Sequence, residues 1–274
     1  MTDRHIIQPR RVQFDLKNSP LHWLPGDLYS SHIINSINLL LPPGELWFCR
    51  VYNKALPMVS DAKLAADVRG FIRQEAIHAR VHSNAELYLQ AHGVETESIR
   101  GKAEWLFEQF LGEAPFGIKA LKTRAFEKRW LIIRVGLIAA IEHFTGMLGQ
   151  WCMDNTSWDN GDPIVVDMFR WHLAEEVEHR NVAFDLFEHL CRTQLGFYAS
   201  RQALMAITFP LFIYYLMEGG RALAKQDGAR YSQRMSKMSL LRLLFELERM
   251  GRKTENVPTF GYLFAGTLRW ISPR

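Results

Sequence analysis

The sequence predicts an all-α protein: four long helices in a bundle, with additional helices after it. Three observations predict this. Apolar residues recur at helical spacing through long segments, and no alternating β pattern survives anywhere. Proline, glycine and N-capping residues punctuate the chain at helix-scale intervals. Acids and histidines inside the apolar segments fall at i,i+3 and i,i+4 spacings, which a helix brings to one face.

Taken in order, residues 1–24 read as an extended, polar arm. Leu28 to Leu41 reads as a first helix, broken at Pro42-Pro43-Gly44, after which a second helical piece carries Glu45, Phe48 and Val51. Ser60-Asp61 marks the start of a long helix through Leu89, stopped near Gly93. A shorter helix, Glu95 to Leu111, crosses to the other half. Ile118 to Cys152 reads as the third long helix, basic at first and then strongly apolar. After a polar link, Asp154 to Asp162, the fourth long helix runs from about Ile164 to a stop at Gly196. Phe197 to Lys225, Tyr231 to Met250 and a short tail at Tyr262 to Trp270 follow. The chain therefore reads as one domain, residues 1–274, with a bundle over 25–194 and extra helices over 195–274.

Composition narrows the function classes. Of 274 residues, 48% are apolar, enough for a sizeable core, and the net charge is only +4. That charge is too weak and dispersed to argue for nucleic acid; the basic stretches Arg4 to Arg11, Lys119 to Arg134 and Arg230 to Arg252 read mostly as helix surface. Cys49, Cys152 and Cys191 show neither metal spacing nor a disulfide framework, which fits a reducing, cytoplasmic setting. No signal peptide opens the chain. The most apolar run, Ala203 to Met217, is short of the roughly 20 residues that span a bilayer and reads as a buried helix, with a membrane-surface segment as the alternative.

One stretch concentrates the chemistry: Trp171-His172-Leu173-Ala174-Glu175-Glu176-Val177-Glu178-His179-Arg180. At about 100° per residue, His172, Glu176 and His179 fall within roughly 60° of one another. Such a stripe on a buried helix is costly unless a cation neutralises it. Elsewhere in apolar helical stretches stand Glu45, Glu75 with His78, and Glu142. The order is Glu, Glu-x-x-His, Glu, Glu-x-x-His, each on its own helix. That is the ligand scheme of ferritin-like dinuclear carboxylate bundles. Four carboxylates balance two divalent cations, and a thiolate-free Glu/His set suits iron or manganese. His172 is a seventh ligand or an outer partner; His82, seven residues after Glu75, is an outer partner or cavity wall more than a ligand. Glu175 replaces Glu176 if the helix is rotated. Glu178 and Asp185 face away, toward arginines or a neighbouring histidine.

At these residues the chain resembles a known family. Pro43-Gly-Glu45-x-x-Phe48, Gln74-Glu75-x-x-His78, Glu142-His143 and the 171–180 stretch look like the signature of the bacterial "predicted metal-dependent hydrolase" family, over roughly residues 20 to 260. The ligand order, with a histidine four residues before the last Glu-x-x-His, is also similar to that of the diiron arylamine N-oxygenases. That resemblance implies Glu45, Glu75, His78, Glu142, His172, Glu176 and His179 as seven ligands; it does not extend to the substrate.

Two chemistries follow as expectations. The leading one is a diiron enzyme that uses O2 to oxidise a small apolar or lipid-like molecule, with electrons from an external donor, since no flavin or nicotinamide fingerprint occurs. The alternative is a hydrolase with a dinuclear iron, manganese or zinc site, with His82 or His143 as general acid/base. Peripheral contact with lipid and a homodimer are further expectations.

Overall fold

Capping side chains start the long helices. Asp27 accepts from Ser30 N, Asp61 from Leu64 N, Thr123 from Phe126 N, Asp162 from Val165 N and Thr193 from Gly196 N. Each carboxylate or hydroxyl satisfies a first-turn N–H that has no partner inside its helix. The computed structural model describes residues 7–118, 123–191 and 193–271. Among these the elements are helical and no strand occurs: α1 (Leu28–Ala55), α2 (Ala62–Ala91), α3 (Glu97–Glu104), α4 (Arg124–Met153), α5 (Pro163–Leu190), α6 (Gln194–Gln226), α7 (Arg230–Ser236), α8 (Leu240–Thr254) and α9 (Phe260–Ile271). A single π-helical stretch, Trp105–Phe110, extends α3. The protein is all-α.

Helices α1 and α2 pack as one antiparallel pair and α4 and α5 as another. Contacts of α2 with α5 and of α1 with α4 join the pairs. Two glycines let α4 approach α5 closely. A Cβ on Gly149 would sit 2.2 Å from the Leu173 carbonyl oxygen, and one on Gly146 3.2 Å from that of Glu176. Helix α6 lies against α1 and α4, and α7, α8 and α9 gather on it. Two apolar clusters form the core. One takes in Tyr29 to Leu39, Val81 to Leu89 and Val165 to Phe169; the other takes Trp47 to Ala55, Val68 to Phe71 and Val182 to Leu190. The acids and histidines of α1, α2 and α5 lie between them, at mid-helix.

Four boundaries differ from the sequence expectation. Helix α1 does not break at Pro42-Pro43-Gly44 but runs on to Ala55. Prolines inside a helix cost on the order of 3 kcal/mol each. Packing of both halves of α1 on α2 outweighs that cost, and Gly44 admits Phe107, whose ring would lie 3.2 Å from a Cβ there. The fourth long helix stops at Leu190 rather than Gly196, because Thr193 caps the next helix through the Gly196 N–H. Tyr231 to Met250 is two helices, since Ser239 caps α8. The helix expected from Ile118 begins at Arg124. Of the basic stretches, Arg4, Lys119 and Lys122 lie outside the described residues.

The run Ala203 to Met217 belongs to α6, which spans 33 residues and continues through Pro210. By length and composition both α4 and α6 are long and apolar enough to cross a membrane. The most apolar window of α4 is 78% buried inside the protein, which makes it a core helix, whereas that of α6 is 44% buried.

Candidate metal centre

The bundle brings together all seven acids and histidines singled out as ligands. Glu45 comes from α1, Glu75 and His78 from α2, Glu142 from α4, and His172, Glu176 and His179 from α5; each is at most 2% exposed. His179 Nδ1 lies 2.8 Å from Glu75 Oε1, 3.5 Å from Glu176 Oε1 and 3.7 Å from Glu142 Oε2. His78 Nδ1 lies 3.3 Å from Glu176 Oε1 and 3.8 Å from Glu75 Oε1. His172 Nε2 lies 3.2 Å from Glu176 Oε1, and its Nδ1 3.8 Å from Glu45 Oε1. Glu176 is thus the hub of the cluster.

The far side of each imidazole is fixed from outside. His78 Nε2–H donates to Glu175 at 2.9 Å, and Glu175 also accepts from Arg10 and Trp171. His179 Nε2–H donates to Gln74 Oε1 at 2.9 Å, while Gln74 Nε2 donates to Glu178. His82 Nδ1–H donates to Asn38 Oδ1 at 2.8 Å, so His82 Nε2 is free to accept from His172 Nδ1–H, also at 2.8 Å. These bonds set the tautomers. They leave lone pairs on His78 Nδ1, His179 Nδ1 and His172 Nε2 directed at carboxylate oxygens.

Acceptors therefore face acceptors. Both oxygens of Glu45 and Glu75, Glu142 Oε1, Glu176 Oε2, and Nδ1 of His78 and His179 are buried with no hydrogen-bond partner. Buried polar atoms are almost always paired. So many orphans in one space fit a group that accepts lone pairs and brings positive charge. One ligand atom each from Glu75, His78, Glu176 and His179 lies within 4.8 Å of the others, and the same holds for Glu45, His82 and His172. The buried cluster could hold two metal ions.

Electrostatics agree. Burial, then the neighbouring Glu75 and Glu176 carboxylates, pushes Glu45 well above the usual carboxylate range, and burial with the same kind of repulsion raises Glu142. Burial disfavours charge on His78 and His179, but the surrounding carboxylates outweigh it and raise both to about 10. The negative charge that would favour a proton at either Nδ1 would equally favour a metal cation there. Burial, then His78, lowers His172 to about 4, which keeps its ring neutral.

A cavity of about 210 Å³ opens on one side of the cluster, against Glu45, Glu75, Glu142, His172 and Glu176. His78, His82 and His179 close the other side. His143 is not brought in. One residue past Glu142, it points about 100° away on the helix, donates its Nε2–H to Gly266 O (2.8 Å) and packs on Trp270. Burial lowers it to about 4. It touches neither the cavity nor the cluster and is not placed to act there as the general acid/base that the sequence suggests. Glu175 and Glu178 are held by Arg10 rather than turned inward.

Sequence reasoning missed Arg10, Asn38 and Tyr52. Asn38 and Tyr52 had a signal, since each stands seven residues from Glu45 on the same face of α1. The Tyr52 hydroxyl is buried without a partner, and burial, then Glu142 and Glu75, pushes it well above its usual range. Arg10, from the irregular arm, had none.

A second His/carboxylate group lies outside the bundle centre. His22 Nε2 and His32 Nε2 approach Asp227 Oδ2 at 2.7 and 2.8 Å; Ser232 Oγ donates to the same oxygen, and Ala229 N–H to Oδ1.

A family model described as "Predicted metal-dependent hydrolase" matches residues 8–267. No curated protein matches the chain, and no solved structure does.

Proposed function

The chain belongs to the predicted metal-dependent hydrolase family, and on that premise we propose that it is a hydrolase. In this reading Glu45, Glu75, His78, Glu142, His172, Glu176 and His179 hold two divalent metals. The observation that carries it is the set of unpartnered oxygens and imidazole nitrogens facing one another in a buried space. Two divalent cations would balance both their charge and their lone pairs. When bound, the metals would supply Lewis acidity and a water acidified to near neutrality.

The chain's own residues do the rest. Glu175 and Gln74 hold the His78 and His179 rings with Nδ1 inward. Asn38, through His82, holds the His172 ring with Nε2 inward. Thr145 Oγ1, 3.3 Å from Glu142 Oε2, orients that carboxylate at the cavity edge. The apolar cavity admits a substrate to the carboxylate side and keeps bulk water out.

The test is direct. The metal-stripped chain, reloaded under argon with zinc, manganese or ferrous iron, is assayed on 4-nitrophenyl butyrate. Metal-dependent turnover that a chelator abolishes is the expected result. Equal rates with and without metal would overturn the proposal.

Oxygen activation by an iron-loaded centre is the second reading. The family match gives it no support. One observation favours it: every candidate ligand is a helix-borne Glu or His, and five of them, Glu45, Glu75, Glu142, His172 and Glu176, line an apolar cavity, a setting that protects a strong oxidant from water. It requires an external electron donor. O2 uptake by the reduced, iron-loaded chain, with no esterase activity under any metal, would move the assignment there.

A further inference from the structure

The cavity walls restrict what can reach the centre. Apart from the candidate ligands, the lining is aliphatic and aromatic, contributed by α1, the segment around Phe107, α4, α5, α6 and residues 256–258; it contains no Lys, Arg or Asp. Against these walls, away from the candidate ligands, a carboxylate or phosphate group would be buried without a counter-charge, which costs several kcal/mol or more. The volume, about 210 Å³, exceeds the roughly 150 Å³ of an apolar cavity that takes up benzene. It suits one aromatic ring with a substituent, or a medium-length alkyl chain.

The few polar groups on the wall are mostly in use. Thr145 serves Glu142, Tyr215 donates to Lys102 O, Asn256 to Asp27, and the Trp158 N–H to Asn256 O. Thr208 differs. It is 4% exposed, and its hydroxyl is buried with no partner. A helical threonine ordinarily bonds its hydroxyl to a carbonyl one turn back. With no such bond to break, Thr208 can turn its hydroxyl toward a ligand.

We propose that the cavity binds an uncharged, mainly hydrocarbon substrate carrying one oxygen function, that Thr208 hydrogen-bonds this oxygen, and that anionic substrates are excluded. Only the position of the reacting bond, at the carboxylate side, rests on the metal-centre reading; the cavity itself requires no metal.

Calorimetric titration of the metal-stripped protein tests this with matched probes: 1-octanol, octanoate, octyl phosphate and toluene. The alcohol binds at least tenfold more tightly than either anion. Thr208→Val, which keeps the shape and removes the hydroxyl, weakens 1-octanol about 3- to 10-fold, the effect of one neutral hydrogen bond, and leaves toluene unchanged. Leu211→Trp, which fills the cavity, abolishes binding of all the probes while the metal content on reloading stays that of the wild type. Anions that bind as tightly as the alcohol overturn the substrate class. A Thr208→Val effect that is absent, or equal for toluene, overturns the role of Thr208. Failure of the metal reading shows separately, as a wild-type chain that takes up no metal yet still binds 1-octanol.

Discussion

Among the described residues, two clusters of histidine and carboxylate stand out, and they differ in one decisive respect. Around Asp227 every approach is donor to acceptor: two imidazoles, one hydroxyl and one backbone N–H converge on two carboxylate oxygens. Around Glu176 the imidazole nitrogens present lone pairs to oxygens that already carry charge, and the N–H sides are committed elsewhere. Residue types are alike, but only around Glu176 are the carboxylate oxygens themselves left without donors. A closed set of hydrogen bonds is a clamp; here it ties the arm and α1 to the turn after α6. An open set of converging acceptors is a site for a cation. The far-side bond separates them too. His78 and His179 each donate outward, as metal-bound histidines do, whereas His32 Nδ1 is buried without a partner.

The sharpest way to break this contrast is to remove the hub. Glu176→Ala is expected to cost more than about 100-fold in metal affinity, since even outer partners of ligands are worth 10–100-fold. Metal analysis after gel filtration reads it, with circular dichroism confirming that the helices persist. Retention of both metals would erase the distinction between the clusters.

Next come the outer partners. Glu175→Gln and Gln74→Leu loosen His78 and His179 without touching a ligand. Each is expected to weaken metal binding about 10- to 100-fold, measured by competition with a coloured chelator. An unchanged affinity would mean that the ring orientations do not depend on these bonds.

Asp227→Asn probes the other cluster. It weakens charge-assisted hydrogen bonds from two imidazoles and a hydroxyl, and is expected to cost about 2 kcal/mol of folding stability. Metal content should remain that of the wild type. Loss of metal in this variant would move the cation site to Asp227.

The smallest effect is on pH dependence. Burial is the main influence on His32 and lowers its pKa, against the pull of Asp227. A group with a depressed folded pKa stabilises fully above its unfolded value, about 6.5 for histidine. That contribution is lost as pH falls toward the folded value. Urea midpoints should therefore drop between pH 7 and pH 5, and His32→Gln should flatten the drop by less than about 1.4 kcal/mol per pH unit. Asp227 is depressed as well: burial would raise it, but the Ala229 N–H, Ser232, His32 and His22 outweigh that. Its share is lost only below about pH 4. An identical pH profile in wild type and variant would show that His32 does not titrate against folding.

The contrast also explains what the sequence could reveal. Helical class, and the shared faces of Glu75 with His78 and of His172, Glu176 and His179, were legible because Glu-x-x-His and His-x-x-x-Glu spacings state, within one helix, that the side chains share a face. The prolines of α1 misled because a local rule was applied where tertiary packing decides. His143 misled because adjacency to Glu142 in sequence means divergence on a helix. The partners Arg10 and Gln74 were not legible as such, since Gln74 acts across helices and Arg10 from the arm. Arg10 reaches Glu175 over 165 positions of chain. The second cluster was invisible for the same reason: His22, His32 and Asp227 come from the arm, α1 and the turn after α6, and no spacing connects them.

The most direct test is crystallographic. Crystals of the iron-loaded chain, measured just above the iron absorption edge, should give two anomalous peaks per chain, both within reach of Glu176, between Glu45 and His172 on one side and Glu75, His78 and His179 on the other. The space among His22, His32 and Asp227 should be blank. A peak at Asp227 with none at Glu176, or no peak at either, would contradict the account.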